Sequence, residues 1–119
     1  MIPAENIRDW RGRPVVDVEE TKIGTLEAVY VDTLGDEAVF VTVKLSSLFG
    51  KARLVFAPLK GAVVTPEHLK VAFPRDLVRE APGIDTDGEL HAADEPGVFT
   101  HYGFEYRTGS LGERRLARR

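Results

Sequence analysis

Two apolar segments near the start of the chain flank a short polar turn, and they constrain the fold more than any other feature. Residues 10–17 and 22–32 each have the composition of a β-strand. Gly12 and Gly24 stand where the backbone of such strands needs conformational freedom, and Asp32 closes the second segment. Because the second segment is apolar on both sides near its end, it is predicted to be a central strand of a sheet.

Turn signals recur at short intervals through the first two thirds of the sequence. They fall at residues 11–12, 20–22, 34–36, 49–51, 60–61 and 66–67. Such spacing is typical of an all-β barrel or sandwich, and closing the sheet on itself would remove its exposed edges. The sequence therefore predicts a mostly β fold, a small barrel of about six strands over approximately residues 7–80.

Alternation along the strands predicts which side chains point inward. In the segment 38–45 one set consists of Val39, Val41, Val43 and Leu45, and the other of Ala38, Phe40, Thr42 and Lys44. We expect the first set to face the core and the second to face away from it. The same rule assigns to the core Ala52, Leu54 and Phe56, and later Leu69, Val71 and Phe73.

Helical patterns follow the last of these strands. Residues 74–80 predict a single helical turn with proline at its start. A short helix is then predicted to end at Gly103, which would adopt the left-handed conformation. Proline disrupts a helix interior, so this helix should begin near Pro96, with Asp94 or Glu95 as its cap.

The length of 119 residues is that of a single domain, 1–119. We expect the barrel to be followed by a helical extension at 81–106 and a flexible basic tail at 107–119.

Since the last seven residues carry a net charge of +3 and the whole chain −3, residues 1–112 carry −6. An acidic body repels nucleic acid and anionic membranes, so we expect no nucleic-acid partner.

The opening segments resemble those of PRC-barrel domains, the small β-barrel shared by the photosynthetic reaction-centre H subunit and a ribosome-maturation factor. Further segments are similar to stand-alone bacterial PRC-barrel proteins, in matching order and spacing: 48–50, 55–62, 81–82 and 101–103. The resemblance covers roughly residues 5–106. It implies an SH3-like barrel that docks onto protein or ribonucleoprotein complexes. Pro96-Gly97 departs from the pattern, because relatives would carry an uninterrupted polar helix there.

The amino-acid composition indicates in which cellular compartment the protein works. The chain has no cysteine, which excludes disulfides and thiolate chemistry and fits a reducing cytoplasm. No apolar run approaches the ~20 residues of a membrane span, so we expect no spanning segment. The first six residues lack a basic region and an apolar core, and no secretory signal is expected there.

Candidate chemistry is sparse. Residues 85–89 have the oxygen density of a calcium loop, but their glycine is fourth where an EF-hand requires it sixth. His91 and His101 could join nearby carboxylates in a metal site, yet Pro96-Gly97 lies between them, so no regular helix aligns them. No serine sits in a glycine elbow, and no phosphate-binding loop occurs. We therefore expect no catalytic residues, no metal, no cofactor and no enzymatic activity.

Two features remain as interaction candidates. Leu48 and Phe49 put two large apolar residues at a predicted hairpin tip, where they either contact a partner or plug a barrel end. The tail offers an electrostatic contact through Arg114, Arg115, Arg118 and Arg119. Trp10 lies beside Val15 and Val16, and we expect it to pack in the core.

Together these observations favour a non-catalytic protein-interaction or assembly module that is also a candidate for self-association, with the identity of its protein partner open. Two alternatives stay open as well. A ribosome- or RNA-associated module would use the basic tail, whereas a small-ligand or metal sensor would use the acidic loop at 85–95.

Overall fold

A computed structural model describes residues 10–33, 35, 37–45, 53–85, 90–106 and 116–118. Over these residues the chain forms eight strands and two short helices. The strands are β1 (Pro14–Val16), β2 (Lys22–Asp32), β3 (Ala38–Leu45), β4 (Arg53–Pro58), β5 (Val63–Val64), β6 (Leu69–Lys70), β7 (Gly83–Asp85) and β8 (Leu116–Arg118). The helices are α1 (Arg75–Arg79) and α2 (Glu95–His101), the latter preceded by a 3-10 turn at Ala92–Asp94.

All of the described strands join one sheet, which curls into a half-barrel. The order is β5-β6-β1-β2-β3-β4-β7, and β8 pairs with β2 outside this path. The predicted mostly β barrel is confirmed, but the sheet continues past residue 80. There β7 pairs with β4, and β8 adds a last strand from the C-terminal region.

Strand β2 is the centre of the sheet, as its apolar end predicted. It pairs with β3 along most of its length, with β1 at its start and with β8 at its end. Near its start Gly24 lies so close to β3 that a Cβ there would overlap the carbonyl oxygen of Lys44. This close approach requires glycine, because any larger side chain would push the two strands apart.

The predicted facing of β3 is wrong at three positions. Ala38, Phe40 and Thr42, expected to point away from the core, are 7%, 1% and 0% exposed. Phe40 packs edge-on against Phe99 of α2, with ring centroids 5.2 Å apart, and Thr42 donates a hydrogen bond to the carbonyl of Ala28. Alternation fails here because elements outside the sheet cover its second face, so β3 is buried on both sides.

The two helices lie where the sequence predicts them. α1 follows Pro74, and α2 begins at Glu95 with Pro96 in its first turn. Gly103 ends α2 in the left-handed conformation, at φ +75°. Asp94 occupies the N-cap position, but its side chain makes no capping hydrogen bond.

A buried carboxylate fixes α1 to the turn between β1 and β2. Asp17 is 5% exposed, and its Oδ1 accepts hydrogen bonds from the backbone N–H groups of Glu19 and Thr21. Its Oδ2 accepts the N–H of Arg75, the first residue of α1. Burial raises the pKa of Asp17, but these three backbone hydrogen bonds and the charge of Arg75 outweigh it and leave the pKa below its usual value.

The stability of the protein should therefore depend on pH through Asp17. A depressed carboxyl pKa stabilises the folded state above the unfolded value of about 3.9, and this contribution is lost as the pH falls through the folded value. Asp17→Asn should lower the unfolding free energy at pH 7 by about 1–3 kcal/mol, because an amide cannot accept all three N–H groups. Urea titrations of both proteins from pH 7 to pH 2 should show the difference shrinking with acidity. A difference that is constant with pH would contradict this role.

Candidate functional site

Most residues that the sequence nominates as contacts fall outside the described part of the chain. Leu48 and Phe49 lie in the segment 46–52, and Arg114, Arg115 and Arg119 also lie outside the described residues. Arg118 is described, and its side chain is exposed at the end of β8. The contact roles of all six residues therefore remain predictions.

The expected flexible tail needs a correction at its end. Within 107–119, residues 116–118 form β8, and Leu116 is completely buried. The prediction fails here because one aliphatic side chain, together with backbone pairing to a neighbouring strand, is sufficient to dock three residues. Such a short strand produces no periodic pattern in a sequence.

A groove of about 710 Å³ is the candidate site that the described residues form. It lies between the start of β3, the turn from β4 to β5, and the residues at and after the end of α2. Its walls consist of Glu37, Ala38, Val39, Phe40, Leu59, Lys60, Gly61, Ala62, Phe99, Gly103, Phe104 and Glu105. This volume is within the range of ~300–1,000 Å³ that is usual for ligand-binding clefts.

Three phenylalanines give the groove an aromatic floor. The ring of buried Phe40 lies 5.2 Å from that of Phe99 and 6.4 Å from that of Phe104. Both partners are only partly buried, so the groove keeps aromatic surface accessible. The ring of Phe104 also packs edge-on against Phe73, at a centroid distance of 6.1 Å. The floor of the groove is therefore aromatic and apolar.

Charged side chains stand around this floor. Glu37, Lys60 and Glu105 are all exposed. The ammonium of Lys60 lies 5.5 Å from the ring centroid of Phe104, within cation–π range. An aromatic surface framed by exposed charges can bury an apolar side chain and orient polar groups around it.

Tyr102 fixes the residues at the end of α2, which form one wall of the groove, to the barrel. The side chain is 7% exposed, and its hydroxyl donates a 2.5 Å hydrogen bond to the carbonyl of Phe56 in β4. Its ring packs edge-on against Phe73, 5.0 Å away. Burial raises the pKa of the Tyr102 hydroxyl well above its usual value, so the group stays a protonated donor.

The histidines and acidic residues near α2 do not assemble a metal site. Across the described ranges no group of three or more such residues is placed to hold a metal ion. His101, one of the hypothetical ligands, instead hydrogen-bonds through Nε2 to the carbonyl of Leu77, 2.7 Å away, and so connects α2 to α1. Residues 86–89 of the hypothetical calcium loop lie outside the described part.

A buried glutamate has a role that sequence patterns did not reveal. Glu95 is 0% exposed, and its Oε1 accepts a hydrogen bond from the hydroxyl of Tyr106 at 2.8 Å. Its Oε2 accepts the backbone N–H of Leu116 at 3.0 Å. The sequence suggested only a helix cap or a metal ligand at this position. Both partners lie eleven or more residues away, so local spacing carries no signal of them.

The barrel part of the chain matches a known family. Residues 3–78, more than half of the chain, match the family model of the PRC-barrel domain. No curated protein matches the sequence. The matched region contains β1 to β6 and most of α1, whereas the wall of the groove at 99–105 lies beyond it.

Proposed function

Because this chain belongs to the PRC-barrel domain family, we propose that it is a non-catalytic protein-interaction module that binds its partner in the groove between the barrel and α2. Self-association through the same surface is included in this proposal. The groove is the observation that carries it. The family membership accounts for the barrel side of the groove, and the C-terminal extension supplies the other side.

The composition of the groove supports protein binding. Cores of protein interfaces are enriched in aromatic residues and depleted in charge, and a polar rim surrounds them. Here the accessible faces of Phe99 and Phe104 form the centre, and Glu37, Lys60 and Glu105 form the rim. Aromatic anchors of this kind supply most of the affinity of an interface, whereas rim charges set orientation and association rate.

The accessibility of the charged groups also supports binding over catalysis. Catalytic carboxylates and amines are typically desolvated so that their pKa values suit proton transfer. Glu37, Lys60 and Glu105 are instead exposed to water.

The absence of cysteine from the sequence is consistent with a reducing compartment, and we propose the cytoplasm as the site of action. No helix within the described residues has the length and apolarity needed to cross a membrane.

Reversing the charge of Lys60 should weaken partner binding without unfolding the protein. The side chain is exposed, so Lys60→Glu should change the midpoint of thermal unfolding little. It would leave three carboxylates around the groove and remove the cation over Phe104, and we expect a loss of affinity of about tenfold, or 1.4 kcal/mol. The measurement is capture of proteins from the cell of origin on immobilised protein, followed by titration of each captured protein after purification.

Lys44→Glu is the matched control, because Lys44 is an exposed lysine on β3 outside the groove. Proteins held by the wild type and by Lys44→Glu but released by Lys60→Glu would support the groove as the binding surface. Sedimentation velocity of the three proteins over a concentration series tests self-association in the same way. Equal capture and equal sedimentation by both variants would remove the groove from consideration.

A further inference from the structure

The end of β2 has a second strand-binding edge, and the chain fills it with its own C-terminal residues. Tyr30, Val31 and Asp32 pair antiparallel with Arg118, Ala117 and Leu116, respectively. On the opposite side, Tyr30 and Val31 pair with Phe40 and Ala38 of β3. We call the edge at 30–32, together with Glu95, the strand slot.

A buried acceptor sits at one end of the strand slot. Glu95 is inaccessible to solvent, and its Oε2 receives the backbone N–H of Leu116. Its Oε1 receives the hydroxyl of Tyr106, whose ring packs on Phe99 with a centroid distance of 5.0 Å. A carboxylate aimed at a backbone N–H recognises an extended chain rather than one particular side chain.

Strand β8 shows which side chains fit the strand slot. The first position is aliphatic and fully buried, as in Leu116. The second is small and partly buried, as in Ala117, and the third is basic and exposed, as in Arg118. The last seven residues carry +3 and the remaining chain −6, so charge also favours a basic segment.

We propose that the strand slot is a binding site for an extended, basic segment of a partner protein with an aliphatic residue at its first position, and that β8 occupies this site as an internal competitor. The inference stands independently of the role of the groove, although Phe99 lines the groove and also contacts Tyr106. A tethered strand competes at an effective concentration on the order of millimolar. The partner therefore binds measurably only when β8 is weakened, or when further contacts on the same partner add to its affinity.

The test uses the full chain and a labelled peptide with the sequence of residues 113–119. Leu116→Ala in the protein weakens β8 by removing most of its buried side chain. This variant should bind the peptide at least ~10-fold more tightly than the wild type, which still carries its own competing strand. The peptide should also raise the melting temperature of the variant. Amide resonances of residues 30–32 should shift on binding, which locates the peptide on β2.

Two controls separate the strand slot from general attraction to an acidic protein. A peptide carrying Leu116→Ser keeps the full charge and should not bind, because its first position no longer fills the buried site. A protein carrying Ala117→Pro keeps Leu116 but cannot pair as a strand, and it should bind the wild-type peptide as tightly as Leu116→Ala does. If Leu116→Ala does not fold, the peptide-binding measurement is made with Ala117→Pro.

Three outcomes would overturn the proposal. In the first, both peptides bind with equal affinity, which would identify the contact as electrostatic only. In the second, neither variant protein binds the wild-type peptide more tightly than the wild-type protein does. In the third, the wild-type protein dimerises with concentration and shows the same shifts at residues 30–32 without peptide, which would identify the occupant as the strand of a second copy.

Discussion

Val41→Asp is expected to remove a large fraction of the protein's stability. The side chain of Val41 is 0% exposed in the middle of β3, between β2 and β4. An aspartate there would bury a carboxylate without a partner, which costs at least about 3 kcal/mol. The total stability of a domain of this size is about 5–15 kcal/mol, so the loss is a large fraction of it. Circular dichroism and a urea titration at pH 7 measure the effect.

The same substitution at two neighbouring positions tests the burial of β3. Thr42→Asp should also be strongly destabilising, since Thr42 is 0% exposed although alternation assigns it to the outer face. Lys44→Asp should be tolerated, because Lys44 is exposed. If Thr42→Asp melted like the wild type, the second face of β3 would be open to solvent, and the covering of this face by α2 would be wrong.

Gly24→Ala is the second substitution with a large expected effect. The new methyl group would overlap the carbonyl oxygen of Lys44, so β2 and β3 would have to separate locally. We expect a loss of about 1–3 kcal/mol or more, as for other overpacked sites where the backbone must move. The affected pair is the most extensive in the sheet, so relaxation at Gly24 would disturb many neighbouring contacts.

Gly97→Ala provides the matched comparison. Gly97 lies inside α2, it is exposed, and a Cβ there would meet no atom within 4 Å. This substitution should therefore stabilise the protein, by roughly 0.5–1 kcal/mol, because alanine loses less conformational entropy than glycine in a helix. Thermal and urea unfolding of the two variants should move in opposite directions. Equal shifts would show that Gly24 does not set the distance between the strands.

Local patterns were sufficient for the elements whose signals are local. The turn at Gly12, the start of α1 after Pro74 and the end of α2 at Gly103 all depend on backbone preferences of glycine and proline. Trp10 was expected in the core because of its apolar neighbours, and it is 5% exposed. The barrel class followed from turn spacing, and the family model over residues 3–78 agrees with it.

Sequence patterns did not predict the contacts between residues that lie far apart in the chain. Alternation describes a sheet with one covered face, and it could not predict that Phe99 covers Phe40 from a helix far along the sequence. Likewise, Glu95 has partners at Tyr106 and Leu116, and nothing in its own neighbourhood indicates them. The groove combines three separate segments, so its existence depends on the folded arrangement. Contacts of this kind leave no local pattern in a single sequence.

The most direct test of the proposed function is photo-crosslinking at the groove in the cell of origin. Benzoylphenylalanine replaces Lys60 on the rim in one protein and Lys44, outside the groove, in another; both positions are exposed. After irradiation, we expect a discrete covalent adduct with a partner protein or a second copy from position 60, and none from position 44. Equal adducts from both positions, or no adduct from position 60, would contradict a protein-binding role for the groove.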